Sequence, residues 1–384
     1  MRLALITSNY PSTNGRMDGS FVRQFVLALS RAGVECMVIV PVSVVAPRNW
    51  PLDPRESREQ NGGTVVRVLR PRYVSFSSKQ MLGFNTALLT QRSFNGCVMK
   101  VLRRLSCPPD MLYGHFLYPA GRAAVMAGIR LDRPSVVAFG ESAFWSVEPT
   151  GFSTARRHFE RVTGVLAVSS PGREALTAHL GIPAEKIRVF PNGVDLGKFH
   201  ARDRLAVCRE FGLPTSTFNI LYVGSFDDRK GVRRLLQAVE GLTSVGLVLV
   251  GRGSEKVSSP NVAFQGPLDH DHVAEVLGAG DVFVLPTTAE GSCNALIEAM
   301  ATGLPIVTSN GRHNDDIVDD DVAIRIDPMD VRAIREAIVA LMNDPARRKR
   351  MSEACLEKSR QFDINLRAKK VTAWMEELAR GHRR

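Results

Sequence analysis

The sequence predicts an α/β protein made of two doubly wound domains in tandem. Three observations predict it. The 384 residues are too many for one ordinary core. Short apolar, β-branched runs alternate with helical patterns, the rhythm of parallel sheets covered by helices on both faces. That rhythm stops at a turn near residue 191 and then restarts.

In the first half the strand candidates are LALIT (3–7), ECMVIVPV (35–42), TVVRVLR (64–70), MLYGHF (111–116), SVVAF (135–139) and GVLAVS (164–169). Between the first two, SFVRQFVLALSRAG (20–33) spaces Phe21, Phe25, Leu27 and Leu29 as a helix and stops at Gly33. Residues 85–107 read as an amphipathic helix interrupted near Gly96, with Arg92, Lys100, Arg103 and Arg104 among its apolar residues. Pro191-Asn192-Gly193 is turn chemistry and marks the join. Six more strand candidates follow: FNILYVG (218–224), VGLVLVG (245–251), VAFQG (262–266), DVFVLP (281–286), LPIVTS (304–309) and AIRID (323–327). The expected domains are 1–190 and 191–360, with 361–384 a C-terminal helix able to cross back to the first. Ligands of such sheets bind at the carboxyl ends of the strands, so two facing sheets place the expected site in the cleft between them.

Composition excludes several classes. At 44% hydrophobic and 23% charged the chain is globular. No apolar run approaches the roughly 20 residues of a membrane span. The opening MRLALITSNYP is too short in apolar residues for a signal peptide and reads as a first strand, which points to the cytoplasm. The six cysteines are scattered without a CxxC pair and read as reduced thiols. Residues 1–190 hold 24 Lys and Arg against 12 Asp and Glu, while the remainder holds 26 against 27. All the excess positive charge therefore lies in the first half, as a solvated surface or as a face for an anionic surface or substrate. Nucleic acid is not expected, because the basic residues are dispersed without interleaved aromatics.

The stretch TAEGSCNALIEAMATGLPIVTSNG (288–311) carries the chemistry. Glu290 and Gly291 follow a strand. Ser292 or Asn294 can cap the helix that begins there. Its first free N–H groups, at about residues 292 to 295, make an anion site suited to a phosphate. Glu298 lies inside this apolar helix, and a buried carboxylate needs partners. Sugar hydroxyls would supply them; a buried arginine or backbone groups would do so equally.

EGSCNALIEAMATGLPIVTS, with two Glu separated by seven residues and then E-A-M-A-x-G-x-P, resembles the signature of the group 1 family of retaining glycosyltransferases. VFPNGVDLGKF, VGSFDDRKGV, LVGRGSE and GAGDVFVLP fall where that family has related segments. The resemblance covers nearly the whole chain and is strongest over 160–345. It implies the GT-B fold of two Rossmann-like domains, with the acceptor on the N-terminal half and a nucleotide-sugar donor on the C-terminal half. By the same resemblance Glu298 would accept from the donor ribose and Glu290 from the transferred sugar. Backbone near Ser292, Cys293 and Asn294, beside Gly291, would cradle the diphosphate. Lys230 would neutralise the diphosphate as it leaves, and a fixed cation there lowers the barrier.

The sequence also departs from the family pattern. Ser225 stands where the family has an Arg, with Arg229 as a candidate replacement. Phe139 stands where the family often has a His, with Glu141 and Ser142 as polar neighbours. His115, at a strand end, is a catalytic candidate and equally a packing residue. Gly15 and Gly19 match the family's glycine-rich loop near the diphosphate. Transfer with retention is expected, the leaving phosphate taking the acceptor proton. No cofactor or metal is expected, the acidic run NDDIVDDD (314–321) reading as a polar loop. The expected partners are a nucleotide-diphosphate sugar, a glycan or lipid-linked acceptor, and an anionic inner membrane face. Two alternatives stay open: a sugar-nucleotide epimerase on the same fold, and a non-catalytic sugar-nucleotide binder. A phosphorylase is disfavoured by the lack of a recognisable lysine segment for pyridoxal phosphate.

Overall fold

The computed structural model describes residues 1–12, 19–46, 52–61, 63–76, 80–81 and 84–382. The chain divides into two compact units, Met1–Phe190 with Asn365–Arg384, and Pro191–Ile364.

The first unit contains β1 (Arg2–Ile6), α1 (Ser20–Arg31), β2 (Glu35–Ile39), β3 (Val42–Ser43), β4 (Glu56–Asn61), β5 (Thr64–Leu69), β6 (Arg72–Tyr73), β7 (Gln80–Met81), β8 (Phe84–Asn85) and α2 (Thr86–Leu102). It continues with β9 (Met111–His115), α3 (Arg122–Leu131), β10 (Ser135–Phe139), α4 (Phe152–Phe159), β11 (Gly164–Ala167), α5 (Ser170–Leu180) and β12 (Ile187–Val189). Its main sheet runs β12-β11-β10-β9-β1-β2-β5-β4. Every pair is parallel except β4 with β5. The helix expected to break near Gly96 does not. α2 is continuous, because Phe94, Val98, Met99 and Leu102 on both sides of that glycine are buried with Ala4, Ile6 and Leu112. Burial of one face outweighs the roughly 1 kcal/mol that a mid-helix glycine costs.

The C-terminal α12 (Ile364–His382) packs on this unit. Trp374 lies 5.6 Å from the Phe190 ring, and the Arg367 guanidinium sits 4.5 Å from the Phe25 centroid. Gly164 leaves room for the helix, since a Cβ there would come within 2.6 Å of Leu378 Cδ1.

The second unit contains α6 (Arg204–Glu210), β13 (Phe218–Val223), α7 (Val232–Ala238), β14 (Val245–Val250), β15 (Val262–Gly266), α8 (His270–Val276), β16 (Val282–Leu285), α9 (Asn294–Ala301), β17 (Ile306–Ser309), β18 (Ala323–Ile326), α10 (Val331–Asn343) and α11 (Pro345–Ser359). Its six strands are all parallel, in the order β15-β14-β13-β16-β17-β18. β14 and β16 are buried along their whole length, as expected for continuous apolar runs covered on both faces. All six cysteines are free thiols. Among the described residues no helix is long and apolar enough to cross a membrane.

Candidate active site

Ranked by position in the chain, the second sheet has the order 3-2-1-4-5-6. In such sheets the connections leave in opposite directions on either side of the first strand, and a crevice opens there at the carboxyl ends. That point lies between β13 and β16, which pair at Ile220 with Val282 and Leu221 with Phe283. The loops leaving these two strands, 224–231 and 286–293, hold most of the residues singled out by sequence.

The first loop is folded by its own side chains. Asp227 Oδ1 accepts from Lys230 N at 2.8 Å, Asp227 Oδ2 accepts from Ser225 Oγ at 2.5 Å, and Tyr222 OH donates to the Ser225 carbonyl at 2.7 Å. Arg234, buried on α7, ties this loop to the end of β16 by donating to Asp228 Oδ1 at 2.8 Å and to the Pro286 carbonyl at 3.1 Å. Gly231 allows that approach: its φ is +77°, and a Cβ would lie 2.4 Å from the Pro286 carbonyl oxygen. Ser225, expected among the donor-binding residues, is thus engaged within the loop.

The strut aims Lys230 and Arg229 at one carboxylate. Lys230 Nζ lies 2.6 Å from Glu290 Oε1, Arg229 Nη1 lies 3.2 Å from the same oxygen, and Thr287 Oγ1 donates to it at 2.8 Å. Arg229 also donates to the Ala289 carbonyl at 2.9 Å. The two consecutive basic residues therefore do point the same way. Burial pulls the Lys230 pKa down, and the neighbouring Cys293 and Glu290 more than offset it, so it is raised. Cys293, pushed up to about 11 by burial, is a neutral thiol at pH 7, which leaves Glu290 as the partner that holds the proton on Lys230.

Glu298 lies on α9, whose Leu296, Ile297, Ala299, Met300 and Ala301 are buried while Asn294, Ala295 and Glu298 form the less covered face. Its partner is neither an arginine nor backbone. Glu298 Oε1 accepts from His270 Nε2 at 2.9 Å, and His270 Nδ1 faces Lys198 Nζ at 2.8 Å. The Lys198 ammonium can only donate, so Nδ1 accepts and the imidazole proton sits on Nε2, aimed at Glu298. Asp271 anchors Lys198 at 2.6 Å. For both glutamates the recorded bonds fall on Oε1, leaving Oε2 without a protein hydrogen bond among the described residues.

The expected cap of α9 by Ser292 or Asn294 does not form. The capping position is Cys293, with no side-chain hydrogen bond. Asn192 takes both candidates instead: Ser292 Oγ accepts from its backbone N at 3.2 Å, and Asn294 Oδ1 accepts from its Nδ2 at 2.7 Å. The first-turn N–H groups of α9, next to Gly291, have no partner within the helix. Asn192, Lys198, His270 and Thr287 were not singled out as site residues. Asn192 stood in the sequence only as part of a turn.

The first unit has its own reversal point, between β1 and β9. Gly19, with φ +82°, opens α1 there; a Cβ would lie 2.4 Å from the Asn9 carbonyl carbon. Gly15 lies outside the described residues. His115 ends β9 among the rings of Phe21 at 5.5 Å, Phe116 at 4.6 Å and Tyr113 at 6.0 Å. Burial, with a smaller contribution from Arg367, pushes its pKa down to about 3, so the ring is neutral; its buried Nδ1 has no hydrogen-bond partner among the described residues. Past β10, burial pushes Glu141 up to about 7, opposed by a 3.0 Å bond from Ser146 Oγ. Among the described residues no group of three or more His, Cys, Asp or Glu is placed to hold a metal ion.

Comparison with known proteins bears on the family and the fold. The family described as "Glycosyl transferases group 1" matches residues 217–344, and "Glycosyltransferase Family 4" matches residues 19–198. A Bacillus subtilis glycosyltransferase named for teichuronic acid biosynthesis is 27% identical over 96% of both chains. The phosphatidyl-myo-inositol mannosyltransferase of Mycobacterium leprae is 27% identical over 83% of this chain and 89% of its own. The structure of Anabaena HepE in complex with UDP superposes with a TM-score of 0.74 over 98% of this chain and 100% of that one, at 16% identity. Two parallel-sheet units, the paired loops at the reversal point of the second sheet and matched families over both halves lead to one conclusion: the chain is a glycosyltransferase of group 1, with the GT-B fold.

Proposed function

We propose that this enzyme transfers a hexose-type sugar, with retention of configuration, from a nucleoside-diphosphate donor to a hydroxyl of a glycan or lipid-linked acceptor. The observation that carries the reading is the arrangement of the two glutamates. In each, the protein holds Oε1, and Oε2 has no protein hydrogen bond among the described residues and is free to meet a ligand, in side chains 11% and 13% exposed. A carboxylate oxygen in such a place is stabilised by a hydroxyl donor. Glu298 takes the ribose hydroxyls and Glu290 those of the transferred sugar. Lys230 and Arg229, together with the first N–H groups of α9, receive the diphosphate as its charge grows. Metal is not required in this scheme, because two fixed cations stand at the leaving group. The acceptor binds the first unit. The positive excess there supports an anionic, lipid-linked acceptor on the cytoplasmic face of a membrane, in assembly of a surface polysaccharide or glycolipid. The names of the Bacillus and Mycobacterium relatives point the same way for those proteins.

The test is a panel of UDP, GDP and ADP sugars with a lipid or glycan extract, followed by proton NMR of the anomeric centre of the product. Retention at that centre supports the scheme. Inversion rules it out.

A further inference from the structure

We propose that a trough on the first unit, sharing no residue with the candidate active site, binds a phosphoryl oxyanion. Beside β4, β5 and the C-terminal part of α2 lies a cavity of about 380 Å³. Its wall carries Arg55 ahead of β4, Arg67 on β5, Arg72 on β6, Lys100 on α2 and Arg104 just beyond it. The one carboxylate on the wall, Glu56, is paired with Arg67 at 3.2 Å. Arg70 also reaches the wall but is committed elsewhere: to Asp53 at 3.6 Å, to Ser57 Oγ at 2.6 Å and to the Pro11 carbonyl at 3.1 Å. Among the described residues no carboxylate pairs with Arg55, Lys100 or Arg104.

Arg72 is the informative member. Its Nη2 donates to the Asp53 carbonyl, while its Nη1 is buried and has no acceptor among the described residues. An N–H of a charged guanidinium left without a partner is costly, and the surrounding cations raise that cost by mutual repulsion. Burial and the neighbouring Arg55 and Arg70 depress the basicity of Arg72, Asp53 opposing in part. One anion in the cavity offsets that mutual repulsion. A phosphoryl group suits the place, because its several oxygens can each accept from a separate guanidinium or ammonium, and Arg in particular binds phosphate through two parallel bonds. A second cavity of about 560 Å³ shares Arg67, Arg104 and Leu105 and runs on past Leu3, Met37 and Val65. It leaves room for whatever carries the phosphate. The carrier is either a soluble phosphorylated compound or a lipid headgroup; the oxyanion is common to both.

Calorimetry with inorganic pyrophosphate separates this site from the donor site when run in a Lys230→Ala background. Binding is expected there at low salt. Adding Lys100→Glu and Arg104→Glu, both at exposed positions, weakens it by about tenfold or more. The same pair of changes in the otherwise native protein leaves UDP and GDP affinity untouched, and Arg72→Gln, on β6 rather than α2, repeats the loss. In parallel, the protein is sedimented with phosphatidylcholine vesicles with and without phosphatidylglycerol. Salt-sensitive capture by the anionic vesicles alone, lost in the double variant, identifies a lipid phosphate. Pyrophosphate binding without capture identifies a soluble ligand. Equal pyrophosphate affinity with and without the charge reversals, and no difference between vesicles, overturns the proposal.

Discussion

Replacing Glu298 with Gln isolates the carboxylate charge with little change of shape. The Gln carbonyl can still accept from His270 Nε2, which now bonds Glu298 at 2.9 Å. The amide nitrogen then takes the place of Oε2, so a donor stands where the proposed ribose hydroxyl needs an acceptor. The loss is that of a hydrogen bond to a charged group, about 1.5–3 kcal/mol. That corresponds to a Kd for UDP or GDP raised by about 10- to 150-fold. Folding should be almost unaffected, because one neutral hydrogen bond replaces a charge-assisted one at a partly exposed position; a change of about 1 kcal/mol moves the melting temperature by only about 2–4 °C in a unit of this size. Calorimetric titration of both nucleotides measures the first quantity and thermal melting the second. An unchanged nucleotide Kd in a normally folded variant would refute the assignment. His270→Ala serves as the companion: it frees Glu298 without removing its charge and should weaken binding less than Glu298→Gln.

Other outcomes follow from the same geometry. Lys230→Ala should lower turnover by about 10²-fold or more and also lower the melting temperature, because it takes an ion-pair partner 2.6 Å away from the largely buried Glu290; steady-state assays and thermal melting with and without the change check this. Incubation with EDTA should leave turnover unchanged, and recovery of lost activity by magnesium would contradict the metal-free scheme. Glu141, with a folded pKa of about 7 against an ordinary 4.5, is destabilising when ionised. Below the ordinary value both states are protonated and nothing is lost; as pH rises through the window the unfolded state ionises first, and the penalty is complete above about 7. Glu141→Gln should therefore match the native melting temperature near pH 4 and exceed it above pH 7. His115 acts in the opposite window. Its folded pKa of about 3 against 6.5 means that stability is intact above 6.5 and falls as pH drops toward 3, a loss that His115→Gln should reduce in acid melting curves.

The fold was legible where burial writes itself into residue type. The continuous apolar runs at 245–251 and 281–286 are β14 and β16, buried throughout. β4 was invisible, because ESREQN has no apolar alternation; antiparallel pairing with β5 makes it the edge strand of the sheet. The helix across Gly96 was misread because local propensity was weighed without the core that Phe94 and Val98 enter. In the site, Glu290 and Glu298 stood out as carboxylates at a strand end and inside an apolar helix, and Lys230 through the resemblance, while the groups that hold them did not. His270 reaches Glu298 across 28 positions and Asn192 reaches Asn294 across 102, and no local pattern marks either. Asp227 had a local signal, an acidic residue three before Lys230 that accepts its N–H, as short polar side chains do in tight turns.

The central claim, that the reversal point of the second sheet holds the donor, is tested most directly by a crystal structure with a bound nucleoside-diphosphate sugar. The account predicts ribose hydroxyls on Glu298 Oε2, sugar hydroxyls on Glu290 Oε2 and the diphosphate between Lys230 Nζ and the first N–H groups of α9. A nucleotide seated with neither glutamate in hydrogen-bond reach would contradict it.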